Sequence, residues 1–203
     1  MLDRLIELDQ QLTLAINGLH SPATDHFWLM FSDRWVWVPF YAILIFLIIK
    51  RLGWKRGLIL ILAVVLCLVL SDQISTAIKR SVRRLRPSYT TWMLEGGLHI
   101  PEPGRGGYYG FFSSHASNAF MLVTCILTGL RSIKGCRYKD IAGIGFTWAT
   151  LVSVSRIMMG RHYLGDILVG AVFGALLGWG IGLLARILIK RVSPSPSGSR
   201  GTP

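Results

Sequence analysis

Residues Gly57–Ser71 read GLILILAVVLCLVLS, a run with no charge and no proline. Extended by its flanks to the roughly 20 residues that cross a bilayer, such a run predicts a transmembrane helix. Four further stretches lack Asp, Glu, Lys and Arg: Trp35–Ile49, Gly106–Leu130, Ile141–Ser155 and Ile167–Ala185. With flanks included, the candidate spans run Phe27–Lys50, Gly57–Lys79, Ser114–Arg131, Asp140–Arg156 and Leu164–Ile189. The chain has 203 residues, 52% hydrophobic and 16% charged. That balance excludes a soluble bundle, a disordered chain and a collagen-like chain. The expected fold is all-α, a polytopic membrane bundle of about five transmembrane helices.

The chain divides into three parts. Over residues 1–26, Leu5, Leu8, Leu12, Ala15 and Leu19 recur at helical spacing among acids and glutamines, which predicts an amphipathic helix on the membrane surface, ended by Asn17-Gly18 and Pro22. Asp3, Glu7 and Asp9 in this segment do not fit a signal peptide. Residues 27–192 form the transmembrane domain. Residues 193–203 are Ser, Pro and Gly with one Arg, the composition of a disordered tail. Gly170, Gly174, Gly178 and Gly182 leave one face of the last helix without side chains, a packing surface for a neighbouring helix. Cys67, Cys125 and Cys136 have no metal-ligand spacing and read as small core residues.

The net charge is +12. In a soluble chain this would suggest nucleic acid; here Lys and Arg at helix ends orient the protein and meet anionic headgroups, so membrane lipids and not nucleic acid are the expected partners. With the second span running outward, the inner loops hold Lys50, Arg51, Lys55, Arg56, Arg131, Lys134, Arg137, Lys139, Arg186, Lys190, Arg191 and Arg200. The outer face holds the other ten cations, a small bias that gains force if several outer cations serve another purpose.

Three polar clusters supply that purpose. They are KRSVRRLRP (Lys79–Pro87), SSH (Ser113–His115) and SRIMMGRHYLGD (Ser155–Asp166). Alternating helix directions bring all three to one membrane face. Arg supplies paired planar donors for phosphate oxygens, and Lys a compact charge. A helix starting at Ser113 and Ser114 adds free N–H groups and a positive dipole end. His115 and His162 titrate near neutrality, which suits nucleophile and acid roles, and Asp166, one turn after His162, can fix its tautomer. The chemistry indicated is the holding and breaking of a phosphate ester.

The order Lys79, six residues, Arg86-Pro87; Ser113 and His115; Ser155-Arg156, five residues, His162, three residues, Asp166 resembles the signature of the type 2 phosphatidic acid phosphatase superfamily, which includes bacterial undecaprenyl diphosphate and lipid A phosphatases. One dipeptide departs: the family usually reads Pro-Ser-Gly-His where this chain has Phe112-Ser113-Ser114-His115. Ser114 keeps the N–H, so activity is expected to survive. The resemblance implies a metal-free mechanism without cofactor: His162 attacks phosphorus, Asp166 orients it and His115 protonates the leaving oxygen. Lys79, Arg86, Ser113, Ser114 and Arg156 would hold the phosphoryl oxygens. The acid census points the same way, since only Asp72 and Asp166 lie near the clusters, too few for carboxylate-bound Mg²⁺.

Asp72, seven residues before Lys79, suits a structural ion pair or proton handling equally. Arg80, Arg83, Arg84 and Arg161 suit headgroup contact or interfacial anchoring. Tyr89, Trp92, Tyr108, Tyr109, Phe111 and Phe112 read mostly as an aromatic belt or lid, and His20, His26 and His99 have no partner pattern. By analogy the expected substrate is undecaprenyl diphosphate, then lipid A, then phosphatidylglycerol phosphate or phosphatidic acid, at the extracytoplasmic face of a bacterial inner membrane. A transporter or channel would put charge at mid-bilayer and broken helices in a repeat, neither of which is visible here. A catalytically silent scaffold has only the altered second motif in its favour.

Overall fold

A computed structural model describes residues 1–33, 35–101, 104–131 and 137–192. The tail 193–203 and Cys136 lie outside the described residues. The elements are helices: α1 (Leu2–Asn17), α2 (Pro22–Ser32), α3 (Val38–Leu52), α4 (Trp54–Val82), a short α5 (Thr91–Glu95), α6 (Ser114–Leu130), α7 (Tyr138–Met158) and α8 (Leu164–Arg191), with single 3₁₀ turns at Trp35–Trp37 and Pro87–Tyr89. Four segments, Trp35–Leu52, α4, α7 and α8, are long and apolar enough to cross a membrane. The fifth expected span, α6, is apolar but has 17 residues, about 26 Å of helix. It sits centrally, against α4, α7 and α8.

The first span begins later than expected. Phe27–Lys50 is not one helix, because α2 stops at Ser32 and Asp33 turns into extended backbone, its carboxylate accepting the Trp35 N–H at 2.9 Å. Pro22 does not merely end the preceding helix. It opens α2 at a position where a missing N–H costs nothing, behind the Ser21–Thr24 capping box. At its other end α4 continues past Lys79 to Val82 and is closed by Arg83 in the left-handed region (φ 52°).

The packing of α8 on α6 follows from the glycine stripe. A Cβ at Gly174 would lie 2.1 Å from the Ser117 carbonyl oxygen, and one at Gly178 2.4 Å from that of Met121. The two backbones therefore touch, as small residues permit in a membrane. Leu122, Ile126 and Leu130 of α6 pack with Leu52, Leu60, Ala185 and Ile189 into the main core. Cys67 and Cys125 are buried free thiols packed with Met121, core residues as read from the sequence.

The α1 helix has two different edges. Leu5, Leu8 and Leu12 are exposed, while Asp9, Thr13 and Asn17, spaced every four residues, face the bundle. Thr13 accepts the Leu164 N–H at 3.0 Å, at the start of α8. Asn17 donates to the Ile157 and Met158 carbonyls at 3.0 and 3.2 Å, at the end of α7. One helix thus ties down both ends of the α7–α8 link.

Candidate active site

The three polar clusters meet at one end of the bundle. Lys79, near the end of α4, donates to the Ser114 hydroxyl at the start of α6 across 3.1 Å. The α7–α8 link doubles back over its own helix: the Arg161 and His162 N–H groups both donate to the Arg156 carbonyl, at 3.0 and 3.2 Å. This places His162 at 1% exposure with its Nδ1 3.3 Å from Asp166 Oδ2, both side chains buried. Asp166 is in the first turn of α8, where the helix dipole favours a carboxylate, and its Oδ2 also accepts the Tyr163 N–H at 3.2 Å. With Nδ1 bonded to the carboxylate, Nε2 is the nitrogen left to meet a substrate.

The neighbouring backbone is built for closeness. A Cβ on Gly110 would lie 3.1 Å from Asp166 Oδ2 and 3.5 Å from His162 Nδ1. A side chain here would press the pair and Arg86 aside by a few tenths of an ångström, so glycine suits the loop's close passage. Arg86 is held above it, its Nε donating to the Tyr109 carbonyl at 3.2 Å while its own N–H bonds the Tyr108 carbonyl at 2.9 Å.

Cations surround both histidines. Burial first, then Arg86, Arg156, Lys79 and Arg161, holds the His162 imidazole well below its usual range. Arg156, Lys79 and Arg161 also act electrostatically on His115, as does His162. Arg156 is 3% exposed; its guanidinium donates to the Ser32 hydroxyl, but its Nε has no partner among the described residues. A buried, incompletely bonded guanidinium beside two imidazoles is a seat for an anion.

Of the sequence-expected residues, the structure brings Lys79, Arg86, Ser114, His115, Arg156, His162 and Asp166 together. Ser113 differs in detail. Its N–H donates to the Asp166 carbonyl at 3.0 Å and its hydroxyl accepts from the Ala116 N–H at 3.4 Å, so it caps α6 and ties that helix to α8. The N–H groups of Ser114 and His115, in the first turn, have no helical acceptor and remain for a ligand. Asp72 accepts from the Asn118 side chain at 3.2 Å across the α4–α6 groove. Arg80 and Arg83 are exposed, and Arg83 Nε bonds the Arg80 carbonyl at 3.2 Å rather than reaching the histidines. Of the aromatic residues, Phe112 is not belt or lid: it is 2% exposed and packs on Phe173 of α8, ring centroids 4.9 Å apart.

Two residues of the site have a part that the sequence did not indicate: Asp9 had no site role, and Arg84 read only as a headgroup contact or interfacial anchor. Arg84 forks between Asp166 Oδ1 at 2.8 Å and Asp9 Oδ2 at 2.6 Å. Burial opposes its charge, but Asp166 and Asp9 more than offset this, and its pKa is raised. Asp9, from α1, is therefore a third acid near the clusters. Nothing local marks it, since it resembles any acid on the polar face of an amphipathic helix. Neither carboxylate makes a metal seat, each being held by Arg84.

His20 and His99, given no role from sequence, lie stacked at 3.6 Å, with His99 Nε2 2.9 Å from Asp25 Oδ2. Their donor atoms lie within 4.8 Å of one another, close enough to consider a metal. The rings are parallel to within 7° and 3.6 Å apart, so their in-plane lone pairs lie in separate stacked planes.

Residues 56–190 match the model of the PAP2 superfamily. The chain is a member of that superfamily. Among curated PAP2 relatives, the lipid A 4'-phosphatase of Bacteroides thetaiotaomicron is 34% identical, over 99% of this chain and 88% of its own length. That of Porphyromonas gingivalis is 29% identical, over 87% of this chain and 72% of its own. Two solved PAP2-type structures share the architecture. The Bacillus subtilis transmembrane phosphatidylglycerolphosphate phosphatase superposes with TM-score 0.69 at 18% identity, covering 94% of this chain and 88% of that one, a likeness of fold alone. Aquifex aeolicus LpxE gives 0.60 at 26% identity, covering 84% and 92%. This PAP2 protein is an integral membrane lipid phosphatase.

Proposed function

We propose that the enzyme removes a phosphate monoester from a lipid A-type glycolipid, at the 4' position, through a phosphohistidine on His162. The observation that carries a lipid substrate is a cleft of about 530 Å³ whose walls are apolar and whose end is not. Tyr41, Leu44 and Ile45 of α3 and Val65 and Leu68 of α4 line it; Asp72, Ser114 and His115 close it. A headgroup phosphate at His115 leaves acyl chains along these helices. The substrate choice is supported by the curated relatives, both lipid A 4'-phosphatases. Undecaprenyl diphosphate, placed first on sequence, has no counterpart in those names and becomes the second reading.

In the proposed reaction His162 Nε2 forms a bond to phosphorus as the bond to the lipid oxygen breaks. His115 gives that oxygen a proton. Asp166, bonded to Nδ1, fixes the tautomer and offsets the positive charge the ring gains. Lys79, Arg86, Arg156 and the Ser114 and His115 N–H groups hold the phosphoryl oxygens, and such fixed charge is usually the largest catalytic contribution. A water that loses its proton to His115 then attacks phosphorus; the P–N bond breaks, and phosphate and free His162 result. The positive-inside count, twelve cations against ten, leans toward the extracytoplasmic face for this site, and the bacterial relatives suggest an inner membrane.

The test is phosphate release by purified protein in detergent with excess chelator, from lipid A and from undecaprenyl diphosphate at equal concentration. Faster release from lipid A, undiminished by chelator, is expected. Preference for the diphosphate would replace the substrate assignment, and loss of activity with chelator would overturn the metal-free chemistry.

A further inference from the structure

Asp166 has more partners than one imidazole requires. Its Oδ2 is occupied by His162 Nδ1 and the Tyr163 N–H, and its Oδ1 by Arg84 at 2.8 Å. Arg84 Cζ lies over the Tyr163 ring, 4.0 Å from its centroid, a cation–π contact that helps hold the guanidinium in place. Its other terminal nitrogen is 2.6 Å from Asp9 Oδ2. Asp9 Oδ1 accepts the Gly165 N–H at 2.7 Å, one residue before Asp166. The chain of contacts is closed: α8 backbone, Asp9, Arg84, Asp166, α8.

Both terminal nitrogens of Arg84 are committed to carboxylates, so it differs from Lys79, Arg86 and Arg156, which lie around the anion seat. Its position depends on the left-handed Arg83, which ends α4 and turns the chain back toward α8. A cation at Oδ1 favours the charged form of a buried carboxylate and stops it rotating about its last bond, and an immobile carboxylate is what an attacking imidazole needs behind it.

We infer that Arg84 and Asp9 are positioning residues for the His162–Asp166 pair, and that α1 is a working part of the active site as well as an interfacial helix. This rests on the reading of His162 as nucleophile. Asp9 aims Arg84, Arg84 holds Asp166, and Asp166 holds the ring. Because Asp9 comes from a separate helix, whose Thr13 and Asn17 also hold the α7–α8 link, displacement of α1 would release the His162–Asp166 pair and lower the catalytic rate.

The experiment compares Arg84→Ala, Arg84→Lys, Asp9→Asn and His162→Ala with wild type, as full-length protein in detergent, measuring kcat, KM and thermal unfolding on lipid phosphate. Arg84→Ala is expected to lose about 10- to 100-fold in kcat, the usual range for a group that orients a working residue, with KM nearly unchanged. Arg84→Lys, which keeps a charge for Asp166 but not the fork, recovers part of that loss, and Asp9→Asn loses several-fold. Wild-type kcat per folded molecule in Arg84→Ala and Asp9→Asn overturns the inference; so does a raised KM at constant kcat, which would make Arg84 a substrate contact. Should Arg84→Ala fail to fold, Arg84→Lys and Asp9→Asn decide on the same split. Turnover surviving in His162→Ala defeats the nucleophile assignment instead, so the two failures are distinct.

Discussion

Lys79 Nζ and Ser114 Oγ lie 3.1 Å apart although 35 residues separate them in the chain. The contact joins the end of α4 to the beginning of α6, where the second motif departs from its usual glycine. The hydroxyl that the departure introduces is therefore used: it anchors the lysine beside the anion seat.

Lys79→Met removes one fixed cation and is expected to lower kcat/KM by about 10²- to 10³-fold. Ser114→Gly keeps the backbone N–H and loses only the anchor, so it is expected to stay within about threefold, under 1 kcal/mol of barrier. Initial rates on lipid phosphate check both. A larger loss in Ser114→Gly than in Lys79→Met would reverse the assignment of roles.

The pH profile follows from His162. Its pKa is held well below 6.5 by burial and by Arg86, Arg156, Lys79 and Arg161. A depressed pKa keeps the imidazole neutral, and so nucleophilic, as pH falls past 6.5. The acid limb of kcat/KM is expected below that value. Arg86→Ala, which removes one of the depressing charges, moves the limb upward. The same depression makes this group's contribution to stability complete above the unfolded value of about 6.5 and lost as pH falls from there through the folded value. Thermal unfolding across pH 4–8, with pH range set as about that window, reads this part.

The glycine contacts predict a sharp contrast. Gly174→Ala places a methyl 2.1 Å from the Ser117 carbonyl oxygen, while Gly180 has nothing within 4 Å. Gly174→Ala is expected to destabilise by roughly 1–3 kcal/mol through forced separation of α6 and α8, and Gly180→Ala by none. Thermal unfolding in detergent distinguishes them.

Substitution of the cleft wall separates lipid recognition from chemistry. Leu68→Trp, one turn before Asp72, fills space among α3, α4 and α6. It is expected to raise KM for a long-chain lipid phosphate and leave kcat/KM for a short-chain phosphate ester unchanged. Equal effects on both substrates would remove the cleft from the binding site.

Much of this was legible in the sequence because the signals are local. Uninterrupted apolar runs gave the spans, and fixed spacings gave the groups that converge on the phosphate seat. What stayed hidden depends on contacts distant in the chain. Asp9 and Arg84 are unremarkable alone and acquire meaning only when α1 docks on α8, 75 residues from one to the other. The break in the first span escaped because apolar content cannot register Asp33 folding its carboxylate onto the Trp35 N–H. Phe112 looked like its exposed aromatic neighbours until Phe173 covered it.

The most direct test of the account is acid-free denaturing quench of the enzyme during turnover of ³²P-labelled lipid phosphate, followed by peptide mapping. The account predicts an acid-labile, alkali-stable label on His162 that is absent from His162→Ala, together with loss of turnover by at least roughly 10³-fold in that variant. Label on another residue, or undiminished phosphate release from His162→Ala, would contradict it.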